Sequence, residues 1–286
     1  MHQSKRSSFG LGLLLLLMGA CIAVVISCAA KKEIVPPPWK GKYSVLVIAH
    51  RGFSGQYPEN TMVAFQKAIE LGCDMIELDV NFSKDKELVV IHDDKLDRTT
   101  NGKGRVYDYS LKEIRNLDAG SWYGGYFSGE KVPTLKEVLQ MAKDKIPVNI
   151  EIKYPKERQY PIEELAERAL KEVKDAGMLL QVNFFSFDPS ALRRIREKEP
   201  KAWVTLIYGK EWKTHREVTG GENYPILGLR DKTLTKDDIA KIHDQGFQLY
   251  VWTVDNPAEM EKFISWRVDG IITNHPDRLI KVLKNK

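Results

Sequence analysis

The 286-residue chain reads as an α/β protein of the closed (β/α)8 TIM-barrel type. Three observations predict it. Apolar strand-like runs alternate with helix-like segments from residue 45 onward, and repeated β–α units imply a parallel sheet. Residues 44–286, read as one domain, have the length of a single eight-stranded barrel. Several of the runs also end in His, Arg, Lys, Glu or Asp, and barrel enzymes build their sites at the C-terminal ends of strands.

Strand candidates are Val45–Ala49, Met75–Val80, Leu88–Ile91, Val148–Lys153, Val182–Phe187, Trp203–Tyr208, Ile226–Leu229, Leu249–Val254 and Gly270–Thr273. Helices lie between them. Asn60-Thr61 caps 62–71. Thr134-x-x-Glu137 and Thr235-x-x-Asp238 resemble capping boxes. Pro161 starts a helix that Gly177 ends, and Asn256-Pro257 opens another. Nine strands compete for eight places. The link 81–87 is too short for a crossover helix, which normally needs a dozen or more residues. Residues 75–80 and 88–92 are therefore expected to form a hairpin beside strand 2, with turn residues 83–86 setting His92 opposite Glu77. A helix-less crossover is the alternative, and both bring His92 near the acidic pair. A small insertion is expected at about 93–132.

The N-terminus stands apart. Lys5 and Arg6 precede an apolar run from Phe9 to about Ala30, uncharged until Lys31. Residues 1–28 read as a signal peptide that ends at Cys28, because Val25-Ile26-Ser27-Cys28 looks like a bacterial lipobox. Cys21 is a second candidate, and an uncleaved anchor helix is the third reading. All of them place the remainder outside the cytoplasm, in the periplasm or at the cell surface, tethered to a membrane. Residues 29–43, with Pro36-Pro37-Pro38, read as a semi-rigid linker.

Composition narrows the partners. Lys and Arg total 44 against 39 Asp and Glu, a formal +5. The charges mix along helices such as 162–175, which speaks for solvated faces and against a nucleic-acid stripe. Cys73 is the barrel region's only cysteine, so no intramolecular disulfide is available there; it reads as buried and inert. The sequence carries no signal for an oligomeric state.

The chemistry gathers at strand ends. Val47-Ile48-Ala49 runs into His50-Arg51; Met75-Ile76 into Glu77-Leu78-Asp79; Val89-Val90-Ile91 into His92-Asp93; and Val148-Asn149-Ile150 into Glu151-Ile152-Lys153. Alternate strand residues share a face, so Glu77 and Asp79 sit about 7 Å apart on one side. Glu151 and Lys153 pair in the same way. Three carboxylates without a Cys- or His-rich ligand set suit Ca²⁺ or Mg²⁺ better than zinc. Three carboxylates, a divalent cation, Arg51 and Lys153 leave one net positive charge, which a monoanionic phosphodiester would neutralise. His50 and His92, whose ordinary pKa lies near working pH, could then act as general base and acid. His2, His215 and His243 read as peripheral, and His275 as structural.

The ordered motifs His50-Arg51-Gly52, Pro58-Glu59-Asn60-Thr61, Glu77-x-Asp79-Val80, His92-Asp93, Arg98-Thr99-Thr100-x-Gly102-x-Gly104, Pro133-Thr134-Leu135-x-Glu137, Glu151-x-Lys153, Ser186-x-Asp188, Val251-Trp252-Thr253-Val254 and Gly270-Ile-Ile-Thr273 resemble the glycerophosphodiester phosphodiesterase family. The resemblance runs from about residue 45 to the C-terminus. It implies a phosphatidylinositol-phospholipase-C-like barrel that hydrolyses glycerophosphodiesters to glycerol 3-phosphate and an alcohol. By it, Glu77, Asp79 and Glu151 look like metal ligands, His50 and His92 the acid–base pair, and Arg51 and Lys153 the phosphate holders. The glycerol 2-hydroxyl is then expected to attack phosphorus, with water opening the cyclic phosphate. Pro58–Thr61 is explained as a helix start. Trp252 forms either an apolar pocket wall or part of the core. Two departures stand out: the hairpin 81–86 lacks the family's usual Thr and Gly, and Asn274 replaces a frequent Asp, a change that could tune specificity. Other readings are the same chemistry on lysophospholipids or sugar-linked phosphodiesters, and a non-catalytic ligand-binding surface lipoprotein.

Overall fold

The computed structural model describes residues 37–153, 160–209, 212 and 224–285. The apolar run, Cys21, Cys28, His2 and His215 lie outside them. Among the described residues, no helix is long and apolar enough to cross a membrane.

Nine strands form one sheet: β1 (Leu46–Ala49), β2 (Met75–Phe82), β3 (Leu88–Val90), β4 (Val148–Ile152), β5 (Val182–Ser186), β6 (Trp203–Tyr208), β7 (Ile226–Arg230), β8 (Gln248–Trp252) and β9 (Gly270–Thr273). Eight of them run parallel in the order β1-β9-β8-β7-β6-β5-β4-β2, and β1 pairs with β2 to close the barrel. β3 lies antiparallel on the far side of β2, so the hairpin is real and the helix-less crossover is excluded.

The hairpin register differs from expectation by one residue. Its ladder pairs Val80 with Val90, Asn81 with Val89 and Phe82 with Leu88; carried onward, it sets His92 level with Leu78, not Glu77. The cause is the turn. Ser83 N–H donates to the Glu87 carbonyl and Lys86 N–H to the Ser83 carbonyl, so the loop holds five residues instead of four. Lys86 takes a left-handed φ of 58° there, a conformation that glycine reaches at lower cost.

The helices wrap the barrel: α1 (Met62–Leu71), α2 (Leu111–Asn116), α3 (Leu135–Ala142), α4 (Ile162–Asp175), α5 (Pro189–Lys198), α6 (Lys236–Asp244), α7 (Pro257–Ser265) and α8 (Pro276–Lys284). Their starts follow the sequence signals. Thr61 caps α1, Thr134 and Glu137 form the capping box of α3, and Thr235 and Asp238 that of α6. Gly177, at a left-handed φ of 70°, follows the end of α4.

Strand alternation separates two apolar layers. Ile76, Leu78, Val80, Ile150 and Ile152 join the barrel–helix core, whereas Ile48, Met75, Phe185, Ile207, Ile226, Tyr250 and Ile272 form a distinct cluster of the opposite parity, in the barrel lumen. Close packing fills that lumen. A Cβ on Gly228 would lie 2.5 Å from the Phe185 ring, so glycine lets that aromatic cross the barrel. Trp39, from the proline-rich stretch, packs into the same cluster and donates from Nε1 to the Tyr250 hydroxyl at 2.7 Å. Residues between β3 and α3 build a satellite core around Ile91, Leu96, Val106, Ile114 and Val132. This insertion carries the segment after His92. Cys73 is buried and unpaired, and burial pushes its thiol up to about 12.

Candidate active site

The carboxylates are positioned by parity. Glu77 and Asp79 on β2 and Glu151 on neighbouring β4 take the lumen face, while their apolar neighbours turn toward the helices. β4 is registered so that Asp79 lies beside Glu151. One oxygen from each carboxylate falls within 4.8 Å of the others, and the three residues are 1%, 0% and 8% exposed. Burial and mutual repulsion raise Glu77 well above the usual carboxylate range. Burial pushes Glu151 up to about 7 despite the attraction of Lys153. Asp79 ionises readily: burial opposes the charge, but Arg51 and Lys153 outweigh it.

Asp79 Oδ1 is buried and accepts no hydrogen bond; Lys153 Nζ stands 3.6 Å away. Buried polar atoms without partners are rare and costly. An all-oxygen cluster with an orphaned carboxylate oxygen and two raised carboxylates fits one hard divalent cation.

The β1–α1 corner holds the cluster from one side. Arg51 sits in the left-handed region at φ 54°, and its N–H donates to Glu77 Oε2 at 2.9 Å. Gly52 must be glycine, since a Cβ there would lie 2.7 Å from the Ala64 backbone and its φ is +80°. Arg51 Nε stands 3.3 Å from Asp79 Oδ2, and its Nη1 donates to Glu59 Oε1 at 2.8 Å. Asn60, also left-handed at φ 56°, donates from Nδ2 to Asp79 Oδ2 at 2.9 Å. Pro58–Thr61 is thus more than a helix start: two of its side chains reach the site. Lys153 Nζ donates to Glu151 Oε1 at 2.9 Å.

The two histidines have different supports. His50 Nδ1 lies 2.7 Å from Asn274 Oδ1. Asn274 Nδ2 donates to Asp255 Oδ2 at 2.7 Å, and Ser54 Oγ donates to Asn274 Oδ1 at 2.8 Å. That network turns the amide oxygen toward the ring, so Nδ1 carries the hydrogen and Nε2 is left as the basic nitrogen. Nε2 is 4.0 Å from Glu77 Oε2. Burial, helped by Arg51, pushes His50 down to about 4. Asn274, whose departure from the family pattern suggested a specificity effect, orients this imidazole.

His92 Nδ1 instead lies 2.6 Å from Asp93 Oδ1. Burial lowers its pKa, while Asp79 and Asp93 work the other way. Asp93 in turn accepts from Arg98 Nε at 2.7 Å, and the same guanidinium donates twice to Glu59, at 2.7 and 2.8 Å. An unbroken chain of charged groups therefore links Arg51, Glu59, Arg98, Asp93 and His92 across the pocket rim. Sequence reasoning gave no site role to Glu59, Asn60, Asp93 or Arg98, and took Asn60 only as part of a helix start. The quoted motifs contained all four, and charged or amide residues recurring beside strand ends were the available signal.

His50, Arg51, Glu77, His92, Glu151, Lys153 and Trp252 line one pocket of about 370 Å³, with Asp79 buried beside it. Phe185, Phe187, Ile207, Ile272, Thr253 and Arg230 complete its walls. Trp252 lines this pocket and also packs against the lumen cluster, so it meets both of its expected placements. His275 occupies the N-cap position of α8 without a side-chain capping bond, and its ring lies against Gly55, where a Cβ would come within 2.4 Å of Nδ1. His243 pairs with Asp269 at 3.0 Å, on α6.

The profile of the Glycerophosphoryl diester phosphodiesterase family matches residues 50–278. A glycerophosphodiester phosphodiesterase of Caldanaerobacter subterraneus subsp. tengcongensis is 40% identical over 249 residues, covering 84% of this chain and 98% of the relative. A glycerophosphodiester phosphodiesterase of Bacillus subtilis is 35% identical over 275 residues, covering 91% and 92%. The solved structure of an Oleispira antarctica phosphodiesterase, in complex with the product sn-glycerol-3-phosphate, superposes with a TM-score of 0.77 at 27% identity, covering 84% of this chain and 96% of that one. The strand-end motifs, the barrel that converges them and these matches together establish that the chain belongs to the glycerophosphoryl diester phosphodiesterase family.

Proposed function

We propose that this phosphodiesterase hydrolyses glycerophosphodiesters to glycerol 3-phosphate and an alcohol, using His50 as base and His92 as acid beside one Ca²⁺ or Mg²⁺. The observation that carries the reading is the convergence of three buried carboxylates, two histidines and two basic side chains on one pocket. Glu77, Asp79 and Glu151 would hold the cation, which when bound supplies charge neutralisation at a non-bridging phosphate oxygen. Arg51 and Lys153 present fixed positive charge to the phosphate, electrostatics that need no reorganisation during the reaction.

Proton movement follows from the hydrogen bonds. His50 is neutral at working pH, with its Nδ1–H given to Asn274, so Nε2 receives the proton of the glycerol 2-hydroxyl as that oxygen attacks phosphorus. A carboxylate on Nδ1 favours imidazolium, whereas a neutral amide does not. His92, backed by Asp93, therefore donates from Nε2 to the departing alcohol oxygen. Water then opens the cyclic phosphate with the roles reversed.

The test is which bond breaks. Incubation of the purified protein with glycerophosphocholine or glycerophosphoinositol is expected to release glycerol 3-phosphate and the free alcohol. Glycerol plus the phosphorylated alcohol, or no turnover of any glycerophosphodiester, would contradict the assignment.

We further propose that the chain is lipid-anchored outside the cytoplasm through Cys28. The lipobox-like Val25–Cys28 after an uncharged apolar run supports this. Mass spectrometry of membrane-extracted protein is expected to find diacylglyceryl-modified Cys28 as the first residue. An intact Met1 terminus would identify an uncleaved anchor, and modification at Cys21 would move the cleavage site.

A further inference from the structure

The segment that follows His92 bends at residues 92–94 instead of running on as a strand. In an extended strand neighbouring side chains point to opposite faces, and the bend lets Asp93 turn back on the residue before it. Nothing in that local geometry fixes the carboxylate, whose last torsion is broad. Its direction is set from outside, by Arg98. Asp93 Oδ2 accepts from Arg98 Nε at 2.7 Å. Asp93 Oδ1 accepts from Arg98 Nη2 at 3.1 Å and lies 2.6 Å from His92 Nδ1.

Arg98 is itself held at both ends. Its base belongs to a turn anchored in the satellite core, where Leu96 is fully buried and Thr99 and Thr100 nearly so. Thr100 donates from its N–H and its Oγ1 to the Leu96 carbonyl, at 3.0 and 2.7 Å. At the far end Glu59 accepts from Nη1 at 2.7 Å and from Nη2 at 2.8 Å. Glu59 also takes Arg51 Nη1, so its place is fixed from the β1–α1 corner as well. The guanidinium thus gives its Nη1–Nη2 edge to Glu59 and its Nε–Nη2 edge to Asp93. An isolated exposed ion pair contributes little; a planar fork bonded along two edges orients both carboxylates. Burial works against the charge on Asp93, but the bonds from Arg98 and His92 outweigh it and hold the carboxyl well below its usual range.

Resting on the hydrolase reading above, we infer that Arg98 is a positioning residue for proton transfer at His92, holding Asp93 on Nδ1 so that Nε2 faces the reacting oxygen. Arg98 stands outside the residues that line the pocket, so it acts through His92. A neutral imidazole can carry its hydrogen on either nitrogen, and the partner of one nitrogen decides the state of the other. A carboxylate fixed on Nδ1 settles both the tautomer and the direction of the ring. Lysine cannot do the same work, because an ammonium is a point charge without a second edge.

The experiment measures kcat and KM for glycerophosphocholine and for the matching p-nitrophenyl diester. It uses the wild-type protein, Arg98→Ala, Arg98→Lys, His92→Ala and the Arg98→Ala/His92→Ala double variant. Arg98→Ala is expected to lower kcat for the choline diester by roughly 10–100-fold, the cost of displacing a reacting group by about an ångström, with KM nearly unchanged. Arg98→Lys keeps a positive charge between Glu59 and Asp93, which preserves the fold, and should still show most of that loss. In the double variant, Arg98→Ala should cost less than about twofold beyond His92→Ala, since nothing is left to position. The loss on the p-nitrophenyl diester, relative to that on the choline diester, should follow the pattern of His92→Ala. Wild-type kcat in Arg98→Ala, or full activity in Arg98→Lys, would overturn the inference. So would a loss from Arg98→Ala that is undiminished in the His92→Ala background, which would make Arg98 a structural strut. Absence of glycerol 3-phosphate from the wild-type reaction would instead contradict the hydrolase reading itself.

Discussion

Replacing Glu77 with Gln is expected to lower glycerophosphodiester turnover by roughly 10³-fold or more, the several kcal/mol that a catalytic cation supplies, and to leave the fold intact. The amide preserves shape and can still accept the Arg51 N–H that now goes to Glu77 Oε2. What disappears is one of the three buried carboxylates that would face the cation. Because Glu77 is raised by burial and by repulsion from Asp79 and Glu151, its loss relieves the metal-free protein. The variant should therefore melt at or above the wild-type temperature without added cation, yet lose the upward shift that a bound ligand confers. Asp79→Asn should be worse for stability, since Asp79 holds Asn60, Arg51 and Lys153 together. Proton competition sets the pH dependence. Glu151 lies at about 7 and must lose its proton to act as a ligand, so cation affinity rises with pH up to about 7. Below that it falls by about tenfold per pH unit for each proton displaced. A Glu77→Gln protein with full, chelator-sensitive activity would remove this cluster from the reaction.

The second large effect concerns the histidines. His50→Ala and His92→Ala should each reduce turnover by roughly 10²–10⁴-fold, the usual contribution of positioned proton transfer, with little change in cation affinity. The roles separate with an activated substrate. A p-nitrophenyl diester needs no protonation of its leaving group, so it should rescue His92→Ala far more than His50→Ala. Rescue of His50→Ala alone would exchange the two assignments. Small, equal losses on a natural diester would make both histidines structural.

Much of this site was readable because barrel geometry turns a local pattern into a shared location. An apolar run ending in a charged residue predicts a lumen-facing strand end, and two-residue alternation predicts that Glu77 joins Asp79 and Glu151 joins Lys153. The helix caps were legible because their partners lie three residues away. What escaped depends on loops and distant partners. The hairpin register slipped by one residue because turn length is decided by backbone bonds at Ser83 and Lys86. Asn60 reaches Asp79 only because a left-handed backbone at position 60 turns the side chain inward. Arg98 lies within an insertion, so its bridge between Glu59 and Asp93 depends on how that insertion folds back. Arg230 carried the same signal as His50 and Lys153, a charge at the end of an apolar run. Its place in the wall of the same pocket required the strand order.

The central claim is that Glu77, Asp79 and Glu151 together hold one divalent cation on which hydrolysis depends. The direct measurement is calorimetric titration of chelator-treated protein with Ca²⁺ or Mg²⁺ above pH 7, with glycerol 3-phosphate release followed in the same sample. One equivalent of cation per chain should bind and restore release in the wild type, and neither should occur in Glu77→Gln. Full release in excess chelator, or one-equivalent binding that survives loss of Glu77 unchanged, would contradict it.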